Sequence, residues 1–124
     1  MPQVHWLRTK LRRAAELHHG ACIGADALAH RIAVGFGIPV VVHPPHPQEK
    51  VEPACLSPGE LITVRRPRAY LQRSYDIVDE CDVLLALPGE AVVQSGTWAT
   101  VRYAMRIGKP VLLCYPDGRQ ETLR

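Results

Sequence analysis

The sequence predicts an α/β domain, a three-layer sandwich around a mostly parallel sheet, and three observations carry that expectation. Strand-like and helix-like patterns alternate along the chain. The strand runs are short and either β-branched or continuously apolar, as in sheets covered on both faces. Glycine-rich turns stand where strands would feed helices. Such alternation implies parallel strands joined by right-handed crossovers. At 124 residues the chain has room for one layered core, so a single domain spanning 1–124 is expected.

Each element follows from its residues. Val4, Leu7, Leu11 and Ala14 recur at i, i+3, i+7 and i+10, with Arg8, Arg12 and Arg13 off that stripe. The spacing predicts an amphipathic helix from about residue 3 to 14, with Pro2 suited to its start. Glu16-Leu17-His18-His19 is a short strand ending at Gly20. The turn over 19–26 then feeds a helix carrying Leu28, Ile32 and Phe36, which Gly35 and Gly37 are expected to stop. Ile38 to His43 is a β-branched strand.

The stretch 44–67 holds six of the eleven prolines and reads as a long irregular segment, of the sort that is usually functional or mobile. It contains one short strand candidate, Leu61 to Val64. Tyr70, Ser74, Ile77 and Cys81, with Leu71 and Val78, mark a helix over 69–80. Asp82 to Leu87 is an apolar strand ending at Pro88-Gly89, and the loop Glu90 to Ser95 leads to Gly96-Thr97. The next helix sets Trp98, Val101 and Met105 on one face, with Arg102 and Arg106 on the other. Val111 to Tyr115 is the last strand. The sum is a Rossmann-like arrangement with no internal repeat.

Composition narrows the function classes. Hydrophobic residues make up 47% and charged residues 22%, ordinary values for a globular chain. The formal charge of +3 is weak support for nucleic-acid binding, and nucleic acid is not an expected partner. Twelve of the fifteen basic residues are Arg, the residue suited to bidentate contact with phosphate or carboxylate. No run approaches the ~18 apolar residues of a membrane helix, and a signal-peptide core is missing from the N-terminus. No membrane contact and a cytoplasmic location are expected. Cys22, Cys55, Cys81 and Cys114 form no CxxC pair and read as reduced thiols, Cys114 in the core and Cys22 as small filler in its loop.

Open parallel sheets bind ligands beyond the C-terminal ends of their strands. Two segments fit that position. In Gly20-x-x-x-Gly24-Ala25-Asp26 the glycines let backbone amides approach a phosphate, and the following helix adds its N-terminal partial charge. Asp26 is placed either to cap that helix or to accept from a sugar hydroxyl. In Ser95-Gly96-Thr97 the glycine admits close approach and the hydroxyls donate to phosphate oxygens. Arg73, with Arg66 and Arg68 before it, supplies countercharge. His18-His19 and His43-Pro-Pro-His46 have no carboxylate or Cys at ligand spacing and no helical HxxxH, so neither a metal nor any other cofactor is expected. Trp98 and Tyr103 read as packing residues.

Four segments together resemble the SLOG superfamily, the Rossmann-like group that includes Lonely Guy-type phosphoribohydrolases and the DNA-processing protein A core. They are His-His-Gly-x-x-x-Gly-Ala-Asp at 18–26, Arg-Pro-x-x-Tyr-Leu-x-Arg at 66–73, Ile-Val-Asp-Glu-x-Asp at 77–82 and Ser-Gly-Thr-Trp-Ala-Thr at 95–100. The resemblance implies that the glycine turns bind a nucleotide's phosphate or sugar, and it nominates Gly20, Gly24, Asp26, Arg73, Gly96 and Thr97. Lonely Guy-type enzymes cleave an N-glycosidic bond with the Glu of Pro-Gly-Gly-x-Gly-Thr-x-x-Glu. Here an insertion separates Pro88-Gly89 from Gly96-Thr97, and Thr100 stands at the Glu position. A hydroxyl does not replace a carboxylate as an acid or base near neutral pH.

The leading expectation is therefore a domain that binds or senses a nucleotide or phosphorylated nucleoside. Hydrolysis of a nucleoside 5′-monophosphate, with Glu90 or Glu80 as the acid, and a DNA-binding module are the alternatives. Proteins of this kind begin with a central strand, whereas this sequence opens on the helix that would follow it. Either translation begins upstream or the sheet is rearranged, with strands 16–19 and 82–87 flanking the gap. An open strand edge is a template for another chain, so a homodimer is expected.

Overall fold

The computed structural model describes residues 2–48, 50–89 and 96–124. Its described residues form a mixed α/β chain with four α-helices, one short 3-10 helix and eight strands. Helix α1 (Pro2–Leu11) precedes β1 (Leu17–His19), and α2 (Ala25–Phe36) precedes β2 (Val40–Val42) and β3 (Pro45–His46). The 3-10 helix Pro53–Leu56 leads to β4 (Ile62–Val64), β5 (Arg68–Ala69), α3 (Tyr70–Glu80) and β6 (Leu84–Ala86). After α4 (Gly96–Arg106) come β7 (Val111–Cys114) and β8 (Gln120–Leu123).

The strands build separate sheets. β1, β2 and β4 form a parallel sheet in that order, β3 and β5 form a small parallel pair, and β6, β7 and β8 form the third sheet. β7 pairs parallel with β6 and antiparallel with β8. Unbroken strand–helix alternation misses this last strand. The chain turns at Pro116-Asp117-Gly118: the Arg119 amide donates to Asp117 Oδ1 at 2.9 Å, and Gly118 has φ 92. Asp and Gly suit such a turn. β8 is polar and mostly exposed, so it carries no apolar alternation to announce it.

Helix boundaries shift for local reasons. α1 stops at Leu11 because the amides of Arg13 and Ala14 turn back to the carbonyls of Lys10 and Leu11, a tightened last turn. Ala14 still packs against the cluster that holds Leu7 and Leu11. Gly35 lies inside α2. Gly37 ends it, at φ 72 in the left-handed region, with its amide on the carbonyls of Ala33 and Val34. The proline-rich stretch is also more ordered than expected. Its Lys50 carbonyl accepts from the Ile23 amide, and its Glu52 amide donates to the Ala21 carbonyl, both at 2.8 Å.

Three apolar clusters join the helices to one another and to the sheets. Ala27, Ala33, Val40 and Val42 join α2 to the first sheet. Trp6, Leu7, Leu11, Ala29 and Ile32 join α1 to α2. Val78, Val101, Ala104, Val111 and Leu113 join α3 and α4 to the third sheet. β1 and β6 are edge strands, and both line one cleft of about 560 Å³ whose walls include Leu7, Leu11, Leu85 and Leu112. The Leu17 amide donates to the Pro39 carbonyl and the His19 carbonyl accepts from the His43 amide, so these residues face β2 and the backbone of His18 faces away from it. By the same alternation Leu84 faces β7, its amide on the Pro110 carbonyl, and Leu85 faces away. Neither edge pairs with another strand among the described residues.

Candidate phosphate pocket

The turn after β1 is shaped by its backbone. Ala21 has φ 64 and Gly24 has φ 98, so the chain reverses tightly and delivers α2 with Gly24 at its N-cap. His19 is fixed behind the turn. Its Nδ1 accepts from the Ala21 amide at 3.0 Å, which leaves the proton on Nε2, 2.9 Å from His30 Nδ1. Burial, reinforced by His30, His43, Arg73 and His18, lowers the His19 pKa to about 3, so the ring is neutral near pH 7.

Arg73 comes from α3 and is only 3% exposed. Its guanidinium donates to the Gly20 carbonyl, to the His43 carbonyl at 3.4 Å and to Cys22 Sγ at 3.6 Å. It also lies over the Tyr70 ring, 4.5 Å from the centroid. Among the described residues no carboxylate forms an ion pair with it. Asp26 sits nearby and accepts from the Cys22 amide at 3.1 Å. Burial raises the Asp26 pKa, against the opposing pull of the Cys22 amide, Arg73 and the Gly20 amide.

The opposite wall is the start of α4. A Cβ at Gly96 would stand 3.1 Å from Tyr70 Oη, so the phenol spans the space between the two glycine loops. Thr100 Oγ1 donates to the Gly96 carbonyl at 3.0 Å. The first amides of α4 lack intrahelical acceptors by construction. Between these walls lies a pocket of about 170 Å³.

Five of the residues nominated from sequence line this pocket together: Gly20, Asp26, Arg73, Gly96 and Thr97. Gly24 shapes the turn without lining it. Ser95 and Glu90 lie outside the described residues. Asp26 closes its own turn through the Cys22 amide, while no side chain caps α2. Gly20 makes room for the Arg73 guanidinium, which a Cβ there would overlap. Arg68 is committed elsewhere, paired with Asp76 at 2.7 Å, and Glu80 pairs with Arg65 at 2.8 Å outside the pocket lining. Tyr70, Ser74 and Thr100 also line the pocket. Sequence reasoning missed them as site residues, although Tyr70 falls within the Arg-Pro-x-x-Tyr-Leu-x-Arg segment. Trp98 packs with the core of the third sheet and Tyr103 stacks on Tyr75, 4.0 Å between centroids.

Among the described residues, no helix is long and apolar enough to cross a membrane. No protein-family model, curated protein or solved structure matches the chain.

Proposed function

We propose that this chain is a nucleotide- or phosphorylated-nucleoside-binding domain of the SLOG type, with its strand ends arranged in Rossmann-like fashion, acting to bind or sense its ligand as a homodimer in the cytoplasm. One observation carries the reading: among the described residues the buried cation Arg73 forms no ion pair with a carboxylate, the acid near it, Asp26, has its pKa raised by burial against the pull of Arg73, and the guanidinium stands beside the first turn of α4. A buried charge is costly unless an opposite charge compensates it. A phosphoryl group between Arg73 and the α4 amides supplies that charge and meets donors on both sides. The hydroxyls of Thr97 and Thr100 and the Asp26 carboxyl lie in the same lining and suit a ribose. The volume is below the ~300–1,000 Å³ of sites that enclose whole drug-sized ligands, so the pocket takes the phosphate and sugar end only.

The test is calorimetry of the folded chain against inorganic phosphate, AMP and ADP-ribose. Binding in the micromolar to millimolar range is expected, and Arg73→Gln should weaken it about tenfold to a hundredfold, the worth of hydrogen bonds to a charged group. A folded protein that binds none of the three overturns the proposal.

A second reading, hydrolysis of the N-glycosidic bond of a nucleoside 5′-monophosphate, has one observation in its favour. Asp26 is a carboxylic acid inside the pocket whose pKa burial raises, the setting of a general acid. Free base released from AMP, and abolished in Asp26→Asn while AMP still binds, would establish it. AMP recovered intact after prolonged incubation excludes it.

A further inference from the structure

We propose that His18, His43 and Glu80 form a binding site for a divalent transition metal with zinc-like preferences. One ring nitrogen of each histidine and one carboxylate oxygen of Glu80 lie within 4.8 Å of one another. The three residues arrive from β1, from the end of β2 and from the last turn of α3, so no sequence spacing announces them. A tetrahedral zinc ion with bonds of 2.0–2.1 Å holds neighbouring nitrogens about 3.3 Å apart. His18 Nδ1 and His43 Nε2 stand 2.9 Å apart; to hold an ion between them they open slightly and His43 takes its other tautomer, with the proton on Nδ1 and the Nε2 lone pair on the metal.

The surroundings prepare His18 for that role. Its Nε2 lies 2.5 Å from Glu16 Oε1. A carboxylate accepts, so Nε2 carries the proton and the lone pair is left on Nδ1, the nitrogen that faces His43. A histidine whose far N–H is held by a carboxylate is the usual second layer of a zinc site. Two imidazoles and one carboxylate match the protein ligands of open zinc sites. His18 and Glu80 both line the large cleft between β1 and β6, so a fourth ligand would enter from that side. Arg65 now pairs with Glu80, but its side chain is 46% exposed and an ion pair of that kind contributes little. It can turn into solvent as the metal arrives.

The neighbouring group His19, His30 and Cys55 is also close-packed, and it does not qualify. His19 Nδ1 is occupied as an acceptor from the Ala21 amide, so a metal on Nε2 would have to displace that ring's remaining proton and leave an imidazolate. Burial also pushes the Cys55 thiol up to about 11, away from the thiolate that a metal needs.

The experiment is zinc titration of the chelator-stripped, reduced chain by calorimetry, with elemental analysis after dialysis. One ion per chain is expected. Glu80→Gln, on an exposed helix end where the fold should be indifferent, and His18→Ala should each abolish stoichiometric binding. Glu16→Gln, which removes only the carboxylate behind His18, should weaken it about 10- to 100-fold. His5→Ala, on the exposed face of α1, should leave it unchanged. A folded wild-type chain that retains no zinc overturns the proposal, as does undiminished binding in Glu80→Gln.

Discussion

The guanidinium of Arg73 occupies the space that a side chain on residue 20 would need, and it donates to the Gly20 carbonyl from that position. Glycine at 20 and arginine at 73 are therefore one structural decision. Gly20→Ala should cost roughly 1–3 kcal/mol, the range for overpacking a filled interior. In an Arg73→Ala background the same change should cost much less, because the space is vacant. Urea unfolding of the four proteins gives the coupling, expected between about 0.5 and 3 kcal/mol. Equal costs in both backgrounds would place Arg73 elsewhere in solution.

The two glycines near the end of α2 should respond with opposite signs. Gly37 sits at φ 72, and alanine there should lose roughly 1–2 kcal/mol to left-handed backbone strain. Gly35 is exposed and helical, with open space where a Cβ would go. Alanine there should gain roughly 0.5–1 kcal/mol. Thermal unfolding of both variants checks the pair. Destabilisation by Gly35→Ala would show that the helix ends before it.

Thiol chemistry should separate the four free cysteines. Burial pushes Cys55 and Cys81 up to about 11 and raises Cys114 as well. At pH 8 a thiol with a pKa near 11 is about one part in a thousand thiolate. Cys22, half-buried in the turn beside Arg73, should react first with an aromatic disulfide reagent, and Cys22→Ser should remove that phase. The Cys81 rate should go on climbing about tenfold per pH unit above pH 9. A fast phase that survives in Cys22→Ser contradicts this assignment.

The legible part of the fold was its periodic part. Leu28, Ile32 and Phe36, the run Val40 to Val42, and Val111 to Leu113 mark buried faces, and burial is what writes periodicity into a sequence. β8 and the two-residue strands β3 and β5 bury little and left no such pattern. The convergence of Gly20, Asp26, Arg73, Gly96 and Thr97 was legible because each glycine turn follows a strand. Arg73's dependence on Gly20 was not, since it rests on a contact between residues 53 positions apart. Glu80 meets His18 and His43 only once α3 and β1 are assembled, so spacing along the chain could not disclose it.

The facing edges of β1 and β6 predict association. Among the described residues each presents unpaired backbone groups along the walls of a cleft lined by leucines and by charged side chains, and such edges recruit strands from other molecules. Light scattering on the 124-residue chain should report a dimer or larger species, and solubility should be limited. A stable monomer with cooperative unfolding would mean that the cleft is tolerated as it stands.

That cleft also divides the molecule's resistance to isotope exchange. Leu17 and Leu84 direct their amides into hydrogen bonds with β2 and β7, whereas His18 and Leu85 turn theirs toward open space. Neighbouring residues on one strand then stand on opposite sides of a kinetic boundary, one amide waiting for the sheet to open and the next already accessible to deuterium. Among the described residues no ladder links the two sheets, so opening of one need not drag the other with it, and the side-chain cluster that takes in Leu17, Leu85, Leu112 and Cys114 with α1 and α2 is what couples them.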